Sequence, residues 1–205
     1  MLSRRYLHAV VAGFVFLFFS QVLATPVENP VKLLNSTVIK LQTELNQQHA
    51  TLAKSPKKLY EVVKKIILPI VDIPAMSGLT LGPKWRNATP AQQKQFINQF
   101  GLLVTRTYAK TLLAVADYKI EIDPLRGNGW KKDDYVAVHG TVYPNSGGSP
   151  SSVTYYLVRN GHTWKIYDFA VEGVSFVQNF HSQFQGFANM TVLLKKVNQV
   201  NGTNG

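Results

Sequence analysis

The sequence predicts an α+β domain: helices packed on one face of a curled four-stranded antiparallel sheet. Three observations predict it. Apolar residues recur at three- and four-residue spacing before residue 116 and again after residue 174, the mark of helices with one buried face. Between those limits the apolar period drops to two, the mark of strands with one wet face. The strand-like segments follow one another through short turns, which implies an antiparallel meander rather than parallel crossovers.

Ahead of the domain, Arg4 and Arg5 supply a positive region, an apolar run covers 9–19, and Val22, Leu23 and Ala24 place small or modest side chains where a signal peptidase reads. Residues 1–24 therefore read as a cleavable signal peptide. The run is shorter than the roughly 20 apolar residues of a membrane span. A single domain is expected over 25–200, with a flexible Gly/Asn tail at 201–205.

Within the domain, Val31, Leu34, Val38, Leu41 and Leu45 form one apolar stripe on a helix. Ser55-Pro56 restarts a helix whose face carries Leu59, Val63, Ile66 and Ile70, while Lys57, Lys58, Lys64 and Lys65 stay solvated. Pro69 must bend or break it. The segment 68–85 is rich in apolar residues yet interrupted by Pro74, Gly78, Gly82 and Pro83, so a regular helix throughout is not expected. Such side chains must pack inward or line something, the first hint of a cavity. Thr89-Pro90-Ala91-Gln92 is a capping box that opens a long helix. Phe96, Phe100, Leu103 and Thr107 lie on one side of it, and Ile97, Gly101, Val104, Tyr108 and Leu112 on an adjacent side. So wide an arc faces more than one neighbour: sheet on one side, helix or ligand on the other.

Tyr118, Ile120 and Ile122 alternate with Lys119, Glu121 and Asp123 as the first strand. Strands follow at 135–143, 152–159 and 163–169, joined by turn material at 145–150 and by a tight turn at Asn160-Gly161. A helical region from Val174 carries Phe176, Val177, Phe180 and Phe184, and a last helix from about Phe187 carries Val192, Leu193 and Val197.

Composition narrows the function. Two of the 22 Lys/Arg and none of the 11 Asp/Glu fall in residues 1–24, so the remaining 181 residues carry a formal charge of +9. That surplus suits an anionic partner, and export argues against nucleic acid. The chain has no cysteine, which excludes thiol catalysis, disulfides and Cys-ligated zinc. His49, His139, His162 and His181 are scattered without metal-ligand spacing. Glu172-Gly173-Val174-Ser175 lacks the Gly-x-Ser-x-Gly elbow of a serine hydrolase, and no phosphate-binding glycine loop occurs. Asp168 and Glu172 read first as hydrogen-bond partners at a strand-to-helix junction, where backbone donors need acceptors. Sequons at Asn35, Asn87, Asn189 and Asn201 fit chance occurrence.

Two stretches are specific. One runs from Leu68-Pro69-Ile70-Val71-Asp72 through Leu81-Gly82-Pro83-Lys84-Trp85 to Ala88-Thr89-Pro90-Ala91-Gln92-Gln93 and Phe96. The other is Trp164-Lys165-Ile166-Tyr167-Asp168 followed by Glu172-Gly173-Val174-Ser175. In this order, and with a leader and a basic domain, they resemble the Mla-pathway periplasmic phospholipid-binding family (MlaC, or toluene-tolerance auxiliary component), over about residues 28–198. The resemblance implies a periplasmic phospholipid carrier, not an enzyme, that needs no cofactor and holds acyl chains in a deep apolar pocket. It also implies an inner-membrane ABC transporter with a ring of MCE domains and an outer-membrane lipoprotein–porin complex as partners, with transient membrane contact.

The lipid-binding walls this implies are Ile70, Val71, Ile73, Met76, Leu79, Leu81 and Trp85 on the irregular segment and Phe100, Val104 and Tyr108 on the long helix. Val138, Tyr155 and Leu157 would contribute from the sheet, and Val174, Phe176, Val177 and Phe180 from the final helical region. Two other readings stay open: a secreted interaction module with an ordinary core, and a hydrolase using Ser175 or His181 with Asp168.

Overall fold

The structure is a computed structural model that describes residues 26–145 and 147–203. The expected signal peptide, the turn residue Ser146 and the last two residues of the expected tail lie outside them.

Helix α1 (Pro30–Gln47) starts at Asn29, whose side-chain oxygen accepts from the N–H groups of Val31 at 2.9 Å and Lys32 at 3.3 Å. It buries Leu34, Leu41 and Leu45. A short helix α2 (His49–Ala53) leads into α3 (Pro56–Ile67), which buries Leu59, Val63 and Ile66 and leaves its four lysines exposed. At Pro69 the helix tightens into a 3₁₀ turn over Leu68–Ile70, and Val71 then leaves as extended chain that bridges Ile166. The segment that argued against regular helix resolves into two short ones, α4 (Ile73–Leu81) and α5 (Pro83–Asn87). Its prolines fall in first turns, where no intrahelical donor is lost. Asp72 caps α4 by accepting from the Ala75 N–H at 2.9 Å, and Gly82, at φ 53, takes the left-handed backbone that separates the helices. Helix α6 (Pro90–Ala114) carries the expected capping box, with Thr89 and Gln92 exchanging hydrogen bonds of 3.0 and 3.2 Å.

Among the described residues, five strands form one open antiparallel sheet in sequential order: β1 (Lys119–Ile122), β2 (Tyr135–Tyr143), β3 (Ser151–Asn160), β4 (Thr163–Val171) and β5 (Val174–Ser175). The fifth strand corrects the expected four. It exists because Glu172 and Gly173 both take positive φ, 50 and 76, as a two-residue type I′ hairpin requires, and the chain folds back for one more pair of residues. Helix α7 (Phe176–Gln185) therefore begins two residues later than Val174, and α8 (Met190–Thr203) ends the described chain. Asn201, at the start of the expected tail, is helical and buried, and its side chain donates to the Gln99 carbonyl at 3.0 Å and side chain at 2.7 Å.

The junction between sheet and α7 hangs on Asp168. One carboxylate oxygen accepts from the N–H groups of Phe169 at 2.8 Å and Val177 at 3.0 Å, and the other accepts from the Ser175 hydroxyl at 2.5 Å. Ser175 in turn caps α7 by accepting from the Gln178 N–H. Glu172 accepts from the Ser152 N–H across the β3–β4 pair.

Apolar packing falls into three clusters rather than one. A phenylalanine-rich cluster joins α4, α6, α7 and α8, with Phe100 stacked on Phe96 and edge-on to Phe180 and Phe184. A second holds α1, α2, α3 and the end of α6 together. The third packs Leu34 of α1 onto Val138, Leu157, Trp164 and Ile166 of the sheet, under Trp130.

Candidate functional site

Where the three clusters fail to meet lies a cavity of about 410 Å³. Its walls come from α1 (Leu34, Thr37, Val38, Leu41), α3 and the turn after it (Val63, Ile67, Leu68, Ile70, Val71), and α4 (Ile73, Met76). Helix α6 adds Val104, Thr105, Tyr108, Thr111, Leu112 and Val115. The floor is the inner face of the sheet: Ile120, Val142, Val153, Tyr155, Ile166, Phe169 and Val171. Among the described residues, none that lines it is charged.

The floor is only half of that face. At the Trp130 end, Val136, Val138, Leu157 and Trp164 meet α1 and are filled over. At the other end, Ile120, Val142, Val153 and Val171 meet empty space, and Val171 keeps 42% of its surface exposed. A β-bulge lets β4 serve both ends. Tyr156 pairs with Asp168 and Leu157 with Ile166, so Tyr167 is the extra residue. Strand alternation alone would turn Trp164 and Ile166 to one face and Phe169 and Val171 to the other; the extra residue returns all four to the inner face.

Burial gives the same picture. Ile67, Leu68, Ile70, Val71, Val104, Leu112, Val115, Ile120 and Val142 are half-buried, although the core clusters around them contain fully buried side chains. Apolar side chains that touch protein on one side and nothing on the other have given up dispersion contacts that a ligand can restore. The polar atoms of the lining are few: three threonines and the hydroxyls of Tyr108 and Tyr155. Burial pushes both phenols above the ordinary tyrosine value, and neither hydroxyl has a hydrogen-bond partner among the described residues.

Seven of the seventeen residues expected from the sequence line this cavity together: Ile70, Val71, Ile73, Met76, Val104, Tyr108 and Tyr155. Phe100, Leu81, Phe176, Val177 and Phe180 are inward-facing but meet one another in the phenylalanine cluster, with Trp85 packed against it. Phe176 packs against two residues of the lining, its ring 5.5 Å from Tyr108 and 4.8 Å from Phe169. Val138 and Leu157 lie under the filled end of the sheet. Leu79 and Val174 point outward, 48% and 65% exposed. The contributions of α1, α3 and the valine row Val142, Val153 and Val171 were not anticipated. Their periodicity marks them as inward-facing, and nothing in it separates a side chain that meets protein from one that meets a void.

The groups with catalytic potential are engaged elsewhere. Ser175 donates to Asp168 and caps a helix, while His181 Nδ1 sits 3.1 Å from the Thr80 carbonyl and its ring lies beside Gln185. These contacts form a structural clip and a helix–helix tie, and they do not link serine to histidine. Among the described residues, no group of three or more acidic or histidine side chains is placed to hold a metal ion, and no helix is long and apolar enough to cross a membrane.

The family model described as "MlaC protein" matches residues 35–197. The chain is 23% identical over 177 residues to the intermembrane phospholipid transport system binding protein MlaC of Haemophilus influenzae, covering 83% of this chain and 81% of that protein. It is 25% identical over 163 residues to the toluene tolerance protein ttg2D of Pseudomonas putida, covering 79% and 74% of the two. Its fold matches a phospholipid-binding protein from Ralstonia solanacearum, solved in complex with a phospholipid, with a TM-score of 0.77, 23% identity, and coverage of 86% of this chain and 99% of that one.

Proposed function

This chain belongs to the MlaC protein family, and from that premise we propose that it is a phospholipid carrier, binding acyl chains in the cavity between α1, α3, α6 and the sheet. The observation that carries the reading is a lining of 24 described residues without a single charge, 14 of them only half-buried, around a cavity of about 410 Å³. That volume lies within the roughly 300–1,000 Å³ of small-molecule sites, and the lining suits hydrocarbon rather than a polar substrate.

The carrier solves an energetic problem. Moving a diacyl lipid into water exposes roughly 30 methylenes at about 0.8 kcal/mol each, on the order of 20 kcal/mol or more. A protein cavity replaces the bilayer as the apolar surrounding, so transfer becomes nearly neutral. Direction then comes from the differential affinity of whatever loads and unloads the carrier. The leader-like pattern of residues 1–24 and the intermembrane phospholipid transport role in the name of the Haemophilus influenzae relative support placing this chain in the periplasm, shuttling lipid between outer and inner membranes and maintaining outer-membrane asymmetry. The donors and acceptors we assign are an outer-membrane lipoprotein–porin complex and an inner-membrane ABC transporter with an MCE-domain ring. The basic surface suits transient contact with anionic membranes. Binding, not catalysis, is the activity assigned.

The test is native mass spectrometry with lipid extraction on the protein purified from bacteria without detergent. The expected result is a co-isolated phospholipid. A protein that is lipid-free under gentle conditions, and that takes up none from vesicles, sinks the proposal.

A further inference from the structure

We propose that the groove between α3 and α6 docks an acidic amphipathic helix of a partner protein, its apolar side on Leu102 and its carboxylates against Lys57, Lys64 and Arg106. The groove has a volume of about 590 Å³ and is distinct from the apolar cavity. Leu68, Ile73 and Thr105 line both, so an occupant of the groove would bear on the cavity wall. The inference adds a partner surface to the carrier reading and rests on the groove's own residues.

Charge is the first argument. The helical segments 30–116 and 176–203 hold 14 Lys/Arg against three Asp/Glu, and 73–116 hold no acid at all. The sheet segment 117–175 holds six against seven, so the positive surplus sits in the helical layer. At the groove, α3 brings Lys57 and Lys64 with the single acid Glu61, and α6 brings Arg106. Lys57 and Lys58 fall in the first turn of α3, where the helix dipole disfavours cations and no acidic residue offsets them. Among the described residues, none of these cations is in an ion pair. Arg106 is held in place: its guanidinium lies 5.8 Å from the centre of the Tyr60 ring and donates to the Asn201 carbonyl of α8. Its buried Nε has no acceptor among the described residues. A guanidinium fixed in this way loses little freedom on meeting a carboxylate.

Shape decides the kind of anion. The floor is apolar, with Leu102, 36% exposed, beside Ile97 and Gly101. Gly101 sits in the middle of the 25-residue helix α6, where glycine is a poor helix former. A Cβ built there would meet only Ile73, at an ordinary 3.6 Å, so packing within the protein does not demand glycine. The missing side chain keeps the floor low. A flat anionic bilayer would touch the rim lysines and leave that floor unmatched. An extended peptide fits no better, because the backbone groups of α3 and α6 are paired within their helices and offer no strand edge. The helical layer of a second copy would bring like charge to the rim. A helix with apolar residues along one side and carboxylates at its flanks matches floor and rim together. The 12 residues of α3 make a wall about 18 Å long, about three turns of such a helix.

The experiment titrates the full protein, purified from bacteria, into a fluorescent helical peptide of about 18 residues, with leucines at three- and four-residue spacing and glutamates on either side of them. Parallel peptides carry glutamine or lysine in place of glutamate, and thermal melts establish that each variant is folded. Wild type is expected to bind the glutamate peptide and to hold the glutamine peptide at least tenfold more weakly. Lys57→Glu/Lys64→Glu should lose at least tenfold for the glutamate peptide, or about 1.4 kcal/mol, roughly what two exposed ion pairs supply, and should gain the lysine peptide. Leu102→Asp, on the floor, should lose a similar factor. Lys195→Glu/Lys196→Glu on α8 changes the net charge equally and should bind as wild type does. A folded wild type that does not bind the glutamate peptide overturns the inference. So does an equal loss in the α8 variant, which would mark attraction to net charge rather than to the groove. Adherence to phosphatidylglycerol vesicles that falls in Lys57→Glu/Lys64→Glu while peptide binding holds also overturns it, in favour of a membrane face. Phospholipid uptake measured on the same proteins tests the carrier reading separately, since its failure in wild type removes that reading and leaves the peptide result standing.

Discussion

Placing one carboxylate in the cavity, by Val104→Asp, tests the apolar lining most sharply. Val104 is half-buried on α6, one turn before Tyr108, and faces the cavity. Aspartate has nearly the same shape as valine, so the fold should survive with the cavity open to water. With lipid bound, the carboxylate would lie against hydrocarbon and would take up a proton rather than stay charged. An ordinary aspartate titrates near 3.9, so protonating it at pH 7 costs about 3 units at 1.36 kcal/mol each, or about 4 kcal/mol. Affinity should therefore fall about a thousandfold at pH 7. The sign follows from the pKa, which is higher in the lipid-bound state than in the free one. The bound state holds the extra proton, so binding is strongest below the free-state value and weakens about tenfold per pH unit above it. Titrating delipidated protein with a fluorescent phospholipid between about pH 4 and 7.5, with circular dichroism to monitor folding, measures both effects. Val104→Asn, which cannot ionise, should lose affinity by a fixed amount at every pH. A folded Val104→Asp variant that binds lipid normally at pH 7, or whose defect does not relax toward pH 4, would refute the assignment of this cavity.

Other expectations follow from the filled parts of the molecule. Leu157→Ala removes a fully buried side chain beneath Trp164 and should cost about 2–5 kcal/mol, lowering Tm by roughly 5–20 °C while the folded variant still takes up lipid. Asp168→Ala leaves three donors without their acceptor and should cost about 1–3 kcal/mol in urea unfolding; a change below a few tenths would show that the junction does not depend on it. Tyr155→Phe removes a hydroxyl without a protein partner, so stability at neutral pH should hold or rise slightly. Because burial raises the Tyr155 pKa, the folded state keeps its proton longer than the unfolded one. Wild type should then lose stability as pH rises above about 10, and Tyr155→Phe should lose less.

The fold was legible because each signal had a local cause. The capping box at Thr89, the prolines at 30, 56 and 90 in first helical turns, and the alternation in β2 are all set by a few neighbouring residues. The fifth strand was not legible, since it depends on Glu172 taking a positive φ that its residue type does not favour. The site was legible in part. Val104 and Tyr108 were placed correctly on a face separate from Phe96 and Phe100. What periodicity could not convey is whether an inward side chain finds a partner. Phe180 and Val153 read alike in sequence, yet one packs in the phenylalanine cluster and the other borders a void. The bulge at Tyr167 hid a further part, because it shifts which residues of β4 face inward without altering composition.

That division of the sheet sets different rules of change along the same strands. Trp164, Leu157 and Val138 answer to one another, so an altered shape at one requires a matching alteration at its neighbours. Val142, Val153 and Val171 answer to whatever occupies the space before them. Replacing one apolar side chain by another there reshapes the container at little expense to the scaffold. A lineage whose membrane acquires longer, branched or more saturated chains could refit its carrier at one end of the sheet while the other end stays fixed.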